Sequence, residues 1–318
     1  MRILITGGFG FIGCRLLRFL SHLRQKITVV DNLMYEQYEV PLLFSNCNLE
    51  FINEDARKVC DKNFLKEFDF IIHLAAIVGM PACNKNLSLA TAINFDLVKQ
   101  IVDNLNPSQR FFLPVTNSGY GTKSGETYCT EESPLEPISL YGIDKARAEK
   151  YTLENFSNSI TLRLATLFSI SERPRLDLLV NDFAYKAFFE NEIVLYQPKF
   201  RRNFVHISDV CRCILFCMRR FNDLKGQCYN FGLDSANMSK LELANTIAKY
   251  IPCKVTVKDD KEDPDKRDYI VSSEKIYKAG FRPIYSLEAG IKELKNFFKM
   301  MPKNKEQREK LAQKMRNV

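Results

Sequence analysis

Tyr141 and Lys145, in Tyr141-Gly142-Ile143-Asp144-Lys145, are the first residues whose spacing suggests chemistry. Four apart on a helix, a phenol and an ammonium share one face. A cation beside a phenol favours phenolate, drawing a pKa of about 10 toward the range in which an oxygen base works. Taken alone, the pattern describes an ordinary surface pair. Upstream, Thr116-Asn117-Ser118-Gly119-Tyr120-Gly121 closes an apolar strand, the place where open α/β sheets bind ligands. A strand-end hydroxyl such as Thr116 can hydrogen-bond the same substrate oxygen that Tyr141 deprotonates.

A second constellation opens the chain. Thr6-Gly7-Gly8-Phe9-Gly10-Phe11-Ile12-Gly13 sits between a predicted strand and a predicted helix. The first glycine of such a motif allows a tight turn, the second lets backbone approach a diphosphate, and the third lets helix pack on strand. The phosphates then meet the free N–H groups of the helix N-terminus. Asp31 ends the next strand, 18 residues after Gly13, where a carboxylate binds ribose hydroxyls and repels a 2′-phosphate. NAD is therefore expected over NADP. Asp55, in Asn53-Glu54-Asp55-Ala56, follows the third strand, and by itself reads as a helix cap. His73-Leu74-Ala75-Ala76 closes a further strand with small residues, where bulk would block a ligand lying across the sheet edge. Asn94, on the helix that follows, reads as an amide satisfying backbone locally.

These residues need a frame to hold them. Short β-branched runs at 2–6, 27–31, 49–52, 70–74, 110–115 and 159–163 alternate with helical stretches such as Ile12, Leu16, Leu17, Phe19 and Leu20. Continuous apolar strands imply a parallel sheet covered on both faces. The expected fold is α/β, a Rossmann-type doubly wound sheet with a smaller α/β C-terminal substrate lobe. The expected division is 1–170 for the dinucleotide domain, with the chain returning to it around 203–217, then 171–300 for the lobe and 301–318 as a charged tail.

Composition narrows the function. The 318 residues are 46% hydrophobic, without an apolar run long enough for a bilayer span or a signal peptide. Of the net charge of +8, the segment 302–318 supplies +4. The body is only mildly basic, which argues against nucleic acid while accommodating an anionic small substrate. Aromatics, which a single-strand binder would interleave with its cations, are missing from that segment. Ten cysteines without a C-x-x-C or a secretory signal read as reduced cytoplasmic thiols, with Cys211, Cys213 and Cys217 as buried small apolar residues on a helix. Three scattered histidines (His22, His73, His206) argue against a His-rich metal site, and none is expected.

With TGGFGFIG, VVDN, HLAA, TNSGYG, YGIDK, RLAT and RNFVHISDV in this order, the chain resembles the extended short-chain dehydrogenases/reductases of the nucleotide-sugar epimerase/dehydratase type over roughly 1–300. Within them, TNSGYG, CTEESPL, PISLYGIDK, RLDLLVNDF and EDPDKRDYIVS are most similar to bacterial NAD-dependent GDP-heptose 4-dehydrogenases of capsule biosynthesis. The resemblance implies Thr116, Tyr141 and Lys145 as catalytic residues, with Tyr141 and Lys145 also touching the cofactor. It implies NAD contacts from Gly7, Gly10, Phe11, Ile12, Gly13, Asp31, Asn32, Asp55, Ala56, Leu74, Ala75 and Ala76. For the substrate it implies Thr116, Asn117 and Ser118, together with Asn181, Arg202 and Arg267 near the diphosphate. Dehydratases of the family carry an Asp-Glu pair after the catalytic Thr. Asn117 and Ser118 stand there instead, which disfavours 4,6-dehydration.

The implied reaction is NAD-dependent oxidation of the C4 hydroxyl of a nucleotide-activated sugar, a GDP-heptose or GDP-mannose-like sugar with UDP-sugars possible, to a 4-keto sugar for surface polysaccharide. The alternative is a 4-epimerase that returns the hydride to the other face. A non-catalytic NAD sensor of the same fold commonly loses the Tyr or the Lys, and both are present. A homodimer is expected, because Leu87, Leu89, Ala92, Ile93, Leu97, Ile101 and Val102 offer more apolar surface than one sheet face consumes.

Overall fold

Short runs of β-branched and aromatic residues between polar turns become the strands. The computed structural model describes residues 1–21, 25–44, 48–123, 128–258 and 267–316. Its strands are β1 (Arg2–Thr6), β2 (Lys26–Asp31), β3 (Leu49–Asn53), β4 (Phe70–His73), β5 (Arg110–Thr116), β6 (Tyr128–Cys129) and β7 (Ser159–Leu164), then β8 (Thr166–Phe168), β9 (Glu192–Leu195), β10 (Arg201–His206), β11 (Gln227–Phe231), β12 (Leu233–Ser239), β13 (Lys254–Val257) and β14 (Ile270–Val271). Seven form the expected parallel sheet, in the order β11-β7-β5-β4-β1-β2-β3. The order reverses between β1 and β4, and ligands of doubly wound sheets bind in the crevice at that switch.

Both sheet faces are covered. Ile3 and Ile5 of β1 pack with Leu16 and Leu17 of the Phe11–Leu20 helix, while Leu4 between them packs with Leu97, Val98 and Ile101 of the Leu97–Asn104 helix. Successive side chains point to opposite faces, so a strand buried on both sides is apolar throughout.

The chain returns to this sheet over a longer stretch than 203–217. The Ile207–Arg219 helix shares the core of the Phe11–Leu20 helix, β11 pairs with β7 at the sheet edge, and Ile276 and Phe281 join the same cluster. Cys211, Cys213 and Cys217 are fully buried on that returning helix. The lobe has its own core around Phe168, Val180, Phe204, Leu243, Ile291 and Phe298, beside the sheet β12-β10-β8.

Two expectations need correction. The stretch expected as a charged tail contains a helix, Lys305–Lys314, docked on the lobe: Ala312 is buried, and the Met315 carbonyl accepts from the Leu176 amide at 2.8 Å. The apolar surplus expected to seat a second copy is largely consumed within the chain. Ile93, Leu97, Ile101 and Val102 are at most 7% exposed, whereas Leu87 is 55% exposed. Among the described residues no helix is long and apolar enough to cross a membrane, and no cluster of three metal-ligating side chains occurs. His22 and the first five residues, 262–266, of the EDPDKRDYIVS phrase lie outside the described residues.

Candidate active site

A cleft of about 510 Å³ runs across the carboxyl ends of β1, β2, β4 and β5 and under the lobe. That volume suits a small-molecule site. At one end, Gly7 turns the chain with φ +67°, and a Cβ there would lie 2.6 Å from the Ala75 nitrogen. Only glycine makes this turn without strain. A Cβ on Gly10 would meet just the Gly7 carbonyl oxygen, at 3.2 Å, and otherwise fill the cleft. The open cradle at Gly10, before the first turn of the Phe11–Leu20 helix, fits a dinucleotide's diphosphate. Phe11, Ile12 and Gly13 also line it.

Asp31 and Asn32 line the same end. The Asp31 carboxylate accepts from the Phe9 and Leu33 amides at 3.0 and 2.9 Å. Burial raises its pKa while those amides pull the other way. Each oxygen keeps a lone pair for a ribose hydroxyl. Asp55 combines both readings of its sequence: it caps the Ala56–Val59 helix through the Arg57 amide, and it lines the cleft with Glu54 and Ala56. Bonding to the Arg57 guanidinium, at 2.6 Å, lowers its pKa. Leu74, Ala75 and Ala76 form the wall past β4. Asn94 does not serve its own helix. Its amide pairs with both the N–H and the C=O of Ile77, at 3.0 and 2.9 Å, pinning that wall from the π-helical turn Ala92–Asp96.

At the other end, Thr116, Ser118, Tyr141 and Lys145 line the cleft together. Ser139 caps the Leu140–Asn155 helix by accepting from the Gly142 amide, so Tyr141 sits in its first turn and Lys145 one turn later. The Thr116 side chain donates to the Ser118 hydroxyl at 2.9 Å, which also accepts from Arg267. Burial raises the Tyr141 pKa to about 12, against lowering by Arg175, Arg267 and Thr116. Burial lowers Lys145 to about 8. The sequence argument expected the phenol's pKa to fall beside Lys145. In the buried cleft loss of water outweighs that attraction. His73, hydrogen-bonded to Thr6 at 2.7 Å, is lowered to about 3 by burial and stays neutral.

Two expected substrate residues are not at the cleft wall. Asn117 is 1% exposed and points away, its amide buried without a partner. Asn181 accepts from the Ser169 amide at 3.0 Å and donates to the carbonyls of Ser169 and Arg175 at 3.0 and 2.8 Å. Both N–H donors and one oxygen lone pair go to shaping that loop. Arg202 and Arg267 do line the cleft. Sequence reading missed Tyr35, Arg173, Arg175 and Lys240, which line it too. The Arg-Pro-Arg run at 173–175 was the available signal, but spacing alone does not show that both arginines turn inward.

With this geometry in view, residues 3–232 match the model of the family described as NAD dependent epimerase/dehydratase family. UDP-glucuronic acid decarboxylase 1 of Arabidopsis thaliana is 26% identical, over 94% of this chain and 70% of its own length. Among solved structures, dTDP-glucose 4,6-dehydratase from Bacillus anthracis, in complex with NAD, superposes with a TM-score of 0.81 at 21% identity, over 98% of this chain and 99% of that one. UDP-glucuronic acid 4-epimerase from Bacillus cereus, in complex with UDP-glucuronic acid and NAD, gives 0.80 at 22% identity, over 93% and 100%.

Proposed function

The chain belongs to the NAD dependent epimerase/dehydratase family, and on that premise we propose that it oxidises the C4 hydroxyl of a nucleotide-activated sugar to a 4-keto sugar. When bound, NAD accepts the hydride that leaves C4. The Tyr141 phenolic oxygen takes the hydroxyl proton. Thr116 holds that same oxygen, and the charged Lys145 favours the phenolate that must form. Gly10, the helix start and Asp31 hold the dinucleotide. Arg202 and Arg267 are the cations for the sugar nucleotide's diphosphate.

The observation that carries oxidation rather than dehydration is the site beside Thr116. Removing water across C5 and C6 needs an acid and a base there, and the chain offers a buried Asn117 and a Ser118 tied to Thr116 and Arg267. The acids lining the cleft among the described residues are engaged elsewhere. Asp31 holds backbone amides, Glu54 holds Lys58, Asp55 holds Arg57, Asp177 holds Arg175, and Asp182 holds Lys186 and Arg316.

A GDP-heptose or GDP-mannose-like sugar is the substrate we favour, on the TNSGYG, PISLYGIDK and RLDLLVNDF phrases, with the ketose serving surface polysaccharide. Incubating the enzyme and NAD with UDP-, GDP- and CDP-sugars, followed by mass spectrometry, tests this. A product lighter by two hydrogens from a GDP-sugar is expected. Loss of a water would make the enzyme a dehydratase, and an isomer of unchanged mass a 4-epimerase. With NADP in place of NAD the rate falls by at least about 100-fold, because a buried 2′-phosphate beside Asp31 costs several kcal/mol. Equal rates would remove Asp31 from the ribose site.

The reading extends to a cytoplasmic homodimer. The nine cysteines among the described residues are free thiols, as a reducing compartment keeps them. Leu87 and Ile143, 55% and 40% exposed, are the apolar positions left to face a second copy. Sedimentation at micromolar concentration is expected to give twice 36.8 kDa, and the single-chain mass would dismiss the dimer.

A further inference from the structure

Two polar groups of the cleft have nothing to hold. Arg173 is 4% exposed, and one terminal nitrogen of its guanidinium is buried without a hydrogen-bond partner. The Tyr35 hydroxyl is buried without a partner as well. Both side chains line the cleft, and the guanidinium carbon lies 4.6 Å from the Tyr35 ring centroid. Stacking on a ring offsets only part of what a dehydrated guanidinium loses. Neither group has a task in the reaction described above.

Their places in the chain say what they face. The segment before Arg173 is fastened to the glycine-rich end of the cleft: the Ser171 hydroxyl donates to the Phe11 carbonyl at 2.7 Å, and the Arg15 guanidinium donates to the Ile170 carbonyl at 2.5 Å. Tyr35 arrives from the other side, on the loop that follows Asp31. Arg173 therefore stands beside the start of the Phe11–Leu20 helix, whose free amides already favour an anion. Arg175 next to it is bonded to Asp177, so two buried cations share one acid. That surplus positive charge calls for an anion with several oxygens.

We propose that Arg173, held over the Tyr35 ring, binds the diphosphate of the dinucleotide cofactor, with the Tyr35 hydroxyl donating to the same group. This rests on the NAD reading above. The cofactor is then gripped by both lobes: by the helix start and Gly10 from the sheet, and by a guanidinium fork from the lobe. Arg202 and Arg267, further along the cleft, remain with the substrate.

Calorimetric titration of NAD-stripped protein tests the assignment. Arg173→Met is expected to weaken NAD binding by about 10–100-fold, the span of charge-assisted hydrogen bonds. Tyr35→Phe weakens it by about 10-fold, the lower end of what a hydrogen bond to a charged group contributes. Arg173→Lys, which keeps the charge and loses the fork, falls between wild type and Arg173→Met, and serves if the Met variant does not fold. A purely structural arginine would lower the melting temperature of the stripped protein when removed. Here Arg173→Met leaves it unchanged or raises it, since an uncompensated buried charge goes, while the stabilisation by added NAD shrinks. Unchanged NAD affinity in Arg173→Met overturns the proposal. So does a variant that binds NAD normally but binds the sugar nucleotide more weakly, which would move the arginine to the substrate's diphosphate. Wild-type protein that binds no NAD would overturn the cofactor reading itself.

Discussion

Replacing Tyr141 with phenylalanine lowers kcat by about 10²–10⁴-fold, the range for loss of a general base, and leaves NAD bound. The ring keeps its packing against the Ile77, Cys83, Ala90 and Ile93 cluster, so only the hydroxyl is lost. Thr116→Val costs less, about 10–100-fold, because it removes a positioning bond and no proton acceptor. The pH profile separates chemistry from damage. Burial holds Tyr141 at about 12, so near neutrality it is protonated, and the phenolate fraction grows as pH rises. Wild-type kcat/KM should climb with pH through the neutral range, and Tyr141→Phe should lose that limb. Near-full activity in Tyr141→Phe would show that another group takes the proton.

Glu149→Gln is expected to cost about 3–5 kcal/mol of stability, the usual penalty for breaking one side of a buried ion pair. Arg163 on β7 donates to both Glu149 oxygens, at 2.6 to 3.1 Å, with the two side chains 7% and 6% exposed. Its remaining terminal nitrogen donates to the Tyr120 hydroxyl at 2.8 Å. Glu149 lies one turn beyond Lys145, so the pair anchors the helix bearing Tyr141 and Lys145 to the sheet. For a chain of this length the melting temperature should fall by about 5–8 °C in scanning calorimetry. Glu149→Met combined with Arg163→Met should recover part of the loss, because no orphaned charge remains. A melting temperature equal to wild type in Glu149→Gln would mean that the pair does not hold the helix.

What could be read in the sequence follows from how local each signal is. The Gly7–Gly13 turn, Asp31 at a strand end and the Tyr141–Lys145 spacing need only a strand and a helix in series, and the structure brings them to one cleft. The parallel sheet was legible because β1 and β4 are apolar on both faces. Burial was not legible. Spacing promises an acidified Tyr141, but the surrounding apolar side chains raise it. An apolar helix face at Ile93, Leu97 and Ile101 looks the same whether a second copy or the chain's own core covers it. Asn181 sits in a motif that points to substrate, yet three backbone groups of the 169–175 loop claim its amide. Arg173 and Arg175 were hidden for the opposite reason: in a loop, charge alone reads as solvated.

The position of β11 has a consequence for how the chain is made. It is the last strand to join the parallel sheet, and it covers β7 along the register Gln227–Phe231 with Ile160–Leu164. Until residue 231 has left the ribosome, β7 presents an open row of backbone donors and acceptors on a strand whose residues are all buried in the finished fold. Such an edge is a template for pairing with another nascent chain. The amino-terminal 170 residues hold every glycine and carboxylate of the dinucleotide end, but they hold them on an unsealed sheet. Synthesis of this protein thus passes through a stretch of some sixty residues in which the sheet's share of its future cofactor site is complete in sequence and exposed to aggregation.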